Sequence, residues 1–142
     1  MLIGQFNHNL DVKKRLSIPA KWRSIFGDKV IVTSGLDKSL FIFSELEWNK
    51  IAVSISEKGF MDVDTRNFSR LILSNAFDLS IDSHGRVLLP EHLIKYADLK
   101  TDVILAGNYN RGEIWDKEEF SKLMESVNKN ADDIASRMSK LI

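Results

Sequence analysis

One pattern of apolar and polar positions occurs twice in the chain. Residues 10–19 (LDVKKRLSIP) and 81–90 (IDSHGRVLLP) share the order aliphatic, Asp, three variable residues, Arg, aliphatic, one variable residue, aliphatic and Pro. The later matches are residues 30–32 (VIV) with 103–105 (VIL), and residues 42–48 (IFSELEW) with 114–120 (IWDKEEF). Three matches in the same order, at nearly constant separation, predict an internal duplication.

Each repeat is predicted to form a β–turn–β–helix–β–β unit. Residues 6–10 and 15–18 alternate partly between apolar and polar on either side of the polar turn 11–14, which predicts a hairpin with a basic tip. Pro19 and Pro90 open stretches with helical spacing, and proline is tolerated at the first helical position because its missing N–H has no partner there. The later β-rich runs are 30–33 and 40–43 in the first repeat, and 103–106 and 113–115 in the second.

Two further helices are predicted around the repeats. A connecting helix over residues 65–76 is indicated by the helical spacing of Phe68, Leu71, Ile72 and Ala76. A second helix is expected from Asp116; polar residues 128–130 interrupt it, and the apolar positions then recur at Ile134, Met138 and Leu141. The predicted division is repeat 1 over 5–50, a linker with a helix over 51–76, repeat 2 over 77–124 and a C-terminal helix over 125–142.

Strands this short cannot form a stable closed sheet from one repeat, because two hairpins leave free edges and an open apolar face. Pairing the two repeats about a pseudo-twofold axis would cover the free edges and the apolar face. The pattern therefore predicts an α+β fold that is mostly β, with a β-barrel built from the two internal repeats. Short helices, a linker helix and a C-terminal helix complete the predicted fold.

Composition limits the classes of function. The 20 basic and 20 acidic residues cancel, so the net charge does not favour a nucleic-acid or membrane partner. The absence of cysteine excludes disulfides, thiol nucleophiles and cysteine-based zinc sites. No apolar run approaches the roughly 18 residues of a membrane span, and the first residues do not resemble a secretory signal. We therefore expect a cytoplasmic protein with no membrane partner.

The basic residues that follow the first Asp are the strongest local signal. No acid occurs between positions 13 and 23, where the cations are Lys13, Lys14, Arg15, Lys21 and Arg23. Attraction to phosphate is one interpretation of this cluster, and a solvated turn followed by a polar helix face is the other. Asp11 and Arg15 are also expected to pair across the turn. The roles are compatible, because an Asp that orients a guanidinium prepares it for guanine or phosphate.

The second repeat has the same pair with weaker surrounding charge. Asp82 and Arg86 are accompanied by His84, Glu91, His92 and Lys95, so an acid lies among the bases. This pair is expected to serve the fold or a subunit contact as readily as DNA. We therefore rank Arg86 below Arg15 as a DNA-binding residue.

Catalytic chemistry has no support in the sequence. His8, His84 and His92 lack the i, i+4 spacing of a helical metal pair, and Glu118-Glu119 lies where acids favour a helix N-terminus. Neither a phosphate-binding glycine loop nor a nucleophile elbow is present. We expect no enzyme activity, no cofactor, no metal and no small-molecule substrate.

Three segments together resemble the MraZ family, whose members carry two AbrB-like domains in tandem. The segments are residues 10–23 with their Asp-x-Lys-x-Arg core, the linker 66–76 (RNFSRLILSNA) and the late stretch 103–115 with Glu113-Ile114-Trp115. The family usually has Lys-Gly before the first Arg, whereas this chain has Lys13-Lys14. Loss of that glycine is expected to alter the backbone of the turn and to add charge.

The resemblance implies a swapped-hairpin barrel, a ring-shaped homo-oligomer and binding to repeated short sites upstream of the division and cell-wall gene cluster, including the protein's own gene. The first hypothesis is therefore a sequence-specific regulator of transcription that binds double-stranded DNA and associates with the nucleoid. The alternative is an assembly or interaction module that uses the same barrel without DNA. The cationic turn of the first repeat favours the first hypothesis.

Overall fold

A computed structural model describes residues 1–139 and contains the predicted repeat. Repeat 1 supplies β1 (Gln5–Asn9), β2 (Arg15–Ser17), α1 (Ala20–Phe26), β3 (Lys29–Ser34), β4 (Leu40–Phe43) and α2 (Glu45–Ser56). After α3 (Val63–Ile72), repeat 2 supplies β5 (Phe77–Ser80), β6 (Arg86–Leu88), α4 (Glu91–Tyr96), β7 (Asp102–Gly107), β8 (Gly112–Asp116) and α5 (Lys117–Lys129), followed by α6 (Ala131–Met138). The order β–β–α–β–β–α occurs twice, which confirms the duplication and the mostly sheet α+β class.

The strands of each repeat pair with strands of the other. One antiparallel sheet has the order β1-β7-β8-β4-β3-β5, and a separate two-stranded ribbon joins β2 to β6. The pairing is reciprocal: β1 lies against β7 with Phe6 opposite Leu105, and β5 lies against β3 with Leu79 opposite Val30. The pairs β4–β8 and β2–β6 join equivalent strands, so the arrangement has the pseudo-twofold symmetry expected from the repeat.

The predicted hairpin over residues 6–18 is wrong in its strand pairing. The chain does reverse at residues 11–14, where the Lys14 N–H donates to the Asp11 carbonyl at 2.9 Å. The strands on either side of the turn do not pair with each other. The preceding strand β1 belongs to the six-stranded sheet, and the following strand β2 belongs to the ribbon. This divergence lets Leu16 of β2 and Val87 of β6 enter one common core. Within residues 1–139 the six-stranded sheet remains open, with β1 and β5 at its edges, and does not close as the barrel we predicted.

The main core lies between the ribbon, the short helices and one face of the large sheet. Trp22 of α1 and Leu93 of α4 are fully buried at related positions of the two repeats. The Trp22 ring meets Phe6 and Phe26 edge to face, with ring centroids 5.5 and 6.3 Å apart. Burial of each large side chain contributes about 1.5–3 kcal/mol. Pro19 and Pro90 stand at the N-caps of α1 and α4, one residue earlier than we predicted.

The long helices agree with the prediction only in part. The connecting helix α3 begins at Val63 and ends at Ile72, because the chain must extend before Phe77 to enter β5. Helix α2 was not predicted. The break at residues 128–130 is confirmed by the change from α5 to α6 at Asn130. Leu141, the last position of the predicted apolar stripe, lies outside the described residues.

Helix α5 covers the opposite face of the sheet. Phe120 packs with Trp115 at a ring separation of 5.8 Å, and both belong to a second buried cluster with Ile104 and Ala106. None of the described helices is long and apolar enough to cross a membrane.

Separating the repeats should abolish folding, because β1, β2 and β5 all find their partners in the other repeat. Fragments 1–71 and 72–142, each prepared alone at micromolar concentration, are expected to show no cooperative thermal transition by circular dichroism. An equimolar mixture should recover the transition of the intact chain. Cooperative unfolding of either fragment as a monomer would contradict the exchange of strands.

Candidate nucleic-acid interface

The first turn, residues 11–15, is organised by one carboxylate. Asp11 Oδ1 accepts hydrogen bonds from the backbone N–H groups of Lys13 at 2.9 Å and Arg15 at 2.8 Å. Asp11 Oδ2 accepts a hydrogen bond from Arg15 Nε at 2.8 Å. An aspartate that bonds the backbone of its own turn fixes the turn locally. The same side chain therefore shapes the turn and orients the guanidinium.

The second turn, residues 82–86, repeats this arrangement. Asp82 Oδ1 accepts from the backbone N–H groups of His84 and Arg86, each at 2.9 Å. Asp82 Oδ2 accepts from Arg86 Nε at 3.2 Å. The two predicted Asp–Arg pairs are therefore held in equivalent ways, and the turns differ in their surrounding side chains.

The two turns lie at opposite ends of the short ribbon formed by β2 and β6, and each is bonded to the strand of the other repeat. The Ile18 N–H donates to the Gly85 carbonyl at 2.8 Å, and the Leu89 N–H donates to the Lys14 carbonyl at 3.0 Å. In the ribbon, Arg15 lies opposite Leu88. Ser17 lies opposite Arg86. We call residues 11–15 and 82–86, with Ser17 and Leu88, the two-turn surface.

The side chains of Arg15 and Arg86 project from the same face of the ribbon. Leu16 and Val87, which alternate with them along β2 and β6, are buried on the other face. Diagonal neighbours on one face of an antiparallel pair are roughly 7–8 Å apart, so Arg15 and Arg86 lie close together. Among residues 1–139, the terminal nitrogens of both guanidinium groups have no hydrogen-bond partner. These nitrogens can bind phosphate oxygens or the acceptor edge of guanine.

Lys13 and Lys14 are exposed at the first turn, and Lys14 has an unusual backbone conformation. Its φ is 65°, whereas Gly85 at the equivalent position of the second turn has a φ of 78°. We expected a different turn backbone where Lys14 replaces the usual glycine. The structure instead keeps the left-handed conformation at both positions, which costs a residue with a Cβ about 1–2 kcal/mol.

Arg23 and Lys21 differ in their placement although both lie on α1. Arg23 Nε donates to the Ile18 carbonyl at 2.9 Å. Its guanidinium packs so tightly on Gly85 that a Cβ at this glycine would overlap it. Arg23 therefore braces the second turn against α1. Lys21 is exposed on the same helix and has no such contact.

Two aspartates and one histidine near the turns have a lowered pKa. The hydrogen bond from the Arg15 backbone is the main cause that lowers the pKa of Asp11, and the Arg86 backbone does the same for Asp82. Burial, followed by the charge of Arg23, lowers the pKa of His8. Within the described chain, no three acidic or histidine side chains form a group that could hold a metal ion.

Comparison with known proteins finds one family over the whole length. The family described as MraZ protein, antitoxin-like, matches residues 1–71 and again residues 72–142. Among similar proteins, one from Acetivibrio thermocellus is 37% identical over 141 residues, which cover 99% of both chains. One from Thermoanaerobacter pseudethanolicus has the same identity and coverage. A third, from Desulforamulus reducens, is 36% identical over 142 residues and all of both chains. All three are named transcriptional regulator MraZ.

Replacing Lys14 by glycine should stabilise the fold. The change relieves about 1–2 kcal/mol of left-handed strain, and the greater entropy of the unfolded glycine offsets about 0.4–1 kcal/mol of it. We expect Tm in differential scanning calorimetry to rise by up to roughly 3–5 °C. Lys13→Gly is the matched control, because Lys13 has no positive φ, and it should lower Tm slightly. A lower Tm for Lys14→Gly would show that the turn is unstrained.

Because the pKa values of Asp11 and Asp82 are lowered, we predict that the two carboxylates stop stabilising the turns only in acid. A carboxylate with a lowered folded-state pKa stabilises fully above its ordinary value, about 3.9, and loses this contribution as the pH falls through the folded value. NMR titration of the side-chain carboxyl carbons should give midpoints below about 3.9 for Asp11 and Asp82. Asp11→Asn should flatten the acid side of the stability curve while the Asp82 midpoint stays low. Ordinary midpoints would contradict the hydrogen-bond geometry.

Proposed function

The chain belongs to the MraZ family, and on that premise we propose that it is a transcriptional regulator that binds double-stranded DNA through the two-turn surface. The observation that carries the proposal is the pair of equivalent Asp–Arg turns at the two ends of one ribbon, whose arginines share one face. Each turn holds an arginine by its Nε atom and leaves the terminal nitrogens for a ligand. The names of the relatives support regulation of transcription. The protein acts in the cytoplasm at the nucleoid and is not an enzyme.

The ribbon and its turns have the size and chemistry for the major groove. This groove is about 12 Å wide and admits a two-stranded ribbon, and arginine binds the O6 and N7 atoms of guanine there. Arg15 and Arg86 read base edges in the proposed complex, while Lys13 and Lys14 contact phosphates. Phosphate contacts position a protein on DNA, and base contacts give sequence specificity. Lys21 and Arg23 of α1 add secondary phosphate contacts.

The first turn carries the larger share of the binding. Three cations, Lys13, Lys14 and Arg15, follow one another there, whereas Arg86 is accompanied by His84. The Asp–Arg geometry is equivalent in both turns, so we attribute this difference to the local charge. Arg86 therefore contributes less affinity than Arg15.

Several copies of the chain bind together in this proposal. With two or three phosphate contacts, one copy gives a salt slope of only about −2 to −3, which is too small for tight binding. A ring-shaped homo-oligomer on tandem short sites gains roughly 10²–10⁴ in affinity, because each further contact is intramolecular. The proposed sites lie upstream of the division and cell-wall gene cluster, including the protein's own gene. The strand exchange between repeats supports a swapped-hairpin arrangement of the AbrB-like type.

Exposed apolar side chains on α2, on α3 and in the segment between these helices support assembly. The large side chains that are at least 45% exposed there include Val53, Phe60, Met61, Val63 and Phe68. Exposed apolar surfaces of this extent mark sites of protein interaction. The same surface favours the second candidate function, an assembly module that does not bind DNA. Binding experiments with DNA distinguish the two candidates.

The test of DNA binding uses a gel shift on the fragment upstream of the protein's own gene at several salt concentrations. Arg15→Ala should remove specific binding, because about 1–3 kcal/mol of discrimination per site is lost and the loss is multiplied across subunits. Lys14→Ala should retain specificity and reduce the salt slope by about one per copy. Arg86→Ala should weaken binding less than Arg15→Ala.

Lys129→Ala on α5 is the matched control, since it removes one exposed lysine outside the two-turn surface. Its affinity and salt slope should equal those of the wild type. Binding of the wild-type chain to unrelated DNA as tightly as to the upstream fragment would exclude sequence-specific recognition.

The multivalent mechanism predicts that site number and spacing control affinity. Light scattering at micromolar concentration should show an oligomer, and Phe60→Ser with Met61→Ser should reduce its mass. An array of sites should bind far more tightly than one isolated site, and an insertion of half a helical turn between sites should weaken the array. Equal affinity for the array and the single site would exclude avidity.

A further inference from the structure

The symmetry between the two turns is broken by apolar residues. Val12, at the tip of the first turn, is 95% exposed, and the equivalent residue of the second turn is Ser83. Leu88, directly opposite Arg15, is 59% exposed. The residue equivalent to Leu88 is Ser17, directly opposite Arg86. The first arginine is therefore accompanied by two aliphatic side chains, and the second by two serines.

Neither aliphatic residue serves the folded chain. Leu88 leaves β6 on the face opposite to buried Val87, so its side chain is directed away from the core. Val12 occupies a position in a tight turn where small polar residues are usual. Residues opposite each other in a ribbon have Cβ atoms roughly 4.5–5.5 Å apart, so Leu88 lies beside the stem of Arg15.

The ligand that suits this combination is a thymine base. The C5-methyl group of thymine is the apolar group that base pairs present in the major groove, and aliphatic side chains recognise it by contact. We propose that Val12 and Leu88 contact thymine methyl groups next to the base read by Arg15. The proposal rests on the proposed function. Because the second turn offers serines instead, the recognised half-sites differ, and the DNA site has a direction although the protein backbone is nearly symmetric.

Replacement of thymine by uracil removes only the methyl group. The upstream fragment is amplified once with thymidine and once with deoxyuridine triphosphate, and the full-length chain is titrated with both products. Wild-type affinity for the uracil fragment should fall about fourfold for each methyl contact, the factor that corresponds to about 0.8 kcal/mol per buried carbon. Several engaged sites multiply this ratio.

Two substitutions replace the aliphatic residues near Arg15 by the serines found at the equivalent positions near Arg86. Val12→Ser copies Ser83 and Leu88→Ser copies Ser17, and each should lower the ratio of thymine to uracil affinity. The double variant should bring that ratio to one. Leu46→Ser is the matched control, because Leu46 is 69% exposed on α2 and should keep the full ratio.

The outcomes separate the two levels of the proposal. Equal wild-type affinity for both fragments overturns the methyl contact while DNA binding stands. An unchanged ratio in the double variant also overturns it, because the effect of uracil then comes from the stiffness of the DNA itself. Failure of the wild-type chain to bind either fragment overturns the proposed function, and the thymine contact with it.

Discussion

Pairing of β2 with β6 is the interaction on which the rest of the structure depends. It joins the two repeats through Leu16 and Val87, which are both buried, and it ties each turn to the other repeat through the Ile18–Gly85 and Leu89–Lys14 hydrogen bonds. Neither strand has another strand partner among residues 1–139. The core under the ribbon and the placement of both Asp–Arg turns on one surface follow from this pairing.

In the two-turn surface the backbones of the two turns are alike, whereas their side chains differ. Asp11 and Asp82 accept equivalent sets of hydrogen bonds, and both turns contain a left-handed residue. Gly85 meets that requirement without strain and makes room for the Arg23 guanidinium, whereas Lys14 accepts the strain and adds a charge. Duplication therefore supplied a nearly symmetric frame in which the two turns carry different side chains.

Helices α2 and α5 show the same relation between symmetry and divergence. Ser44 caps α2 by accepting from the Glu47 N–H, and Asp116 caps α5 by accepting from the Glu119 N–H. These caps are equivalent in the repeat. Helix α5 buries Phe120 against the sheet, while α2 has no buried residue. The weaker packing of α2 leaves an apolar surface for partners, which the proposed oligomer uses.

The sequence alone determined the repeat, the fold class, the two Asp–Arg pairs and most strands, because these depend on spacings within a few residues. It also contained the signal for α2, since the match of residues 42–48 to 114–120 aligned its cap with that of α5. Tertiary structure decided which strands pair, whether the sheet closes, and that Arg23 braces Gly85. Short strands have many possible partners, and burial of Leu16 and Val87 in a shared core selects among them only when both repeats are folded together.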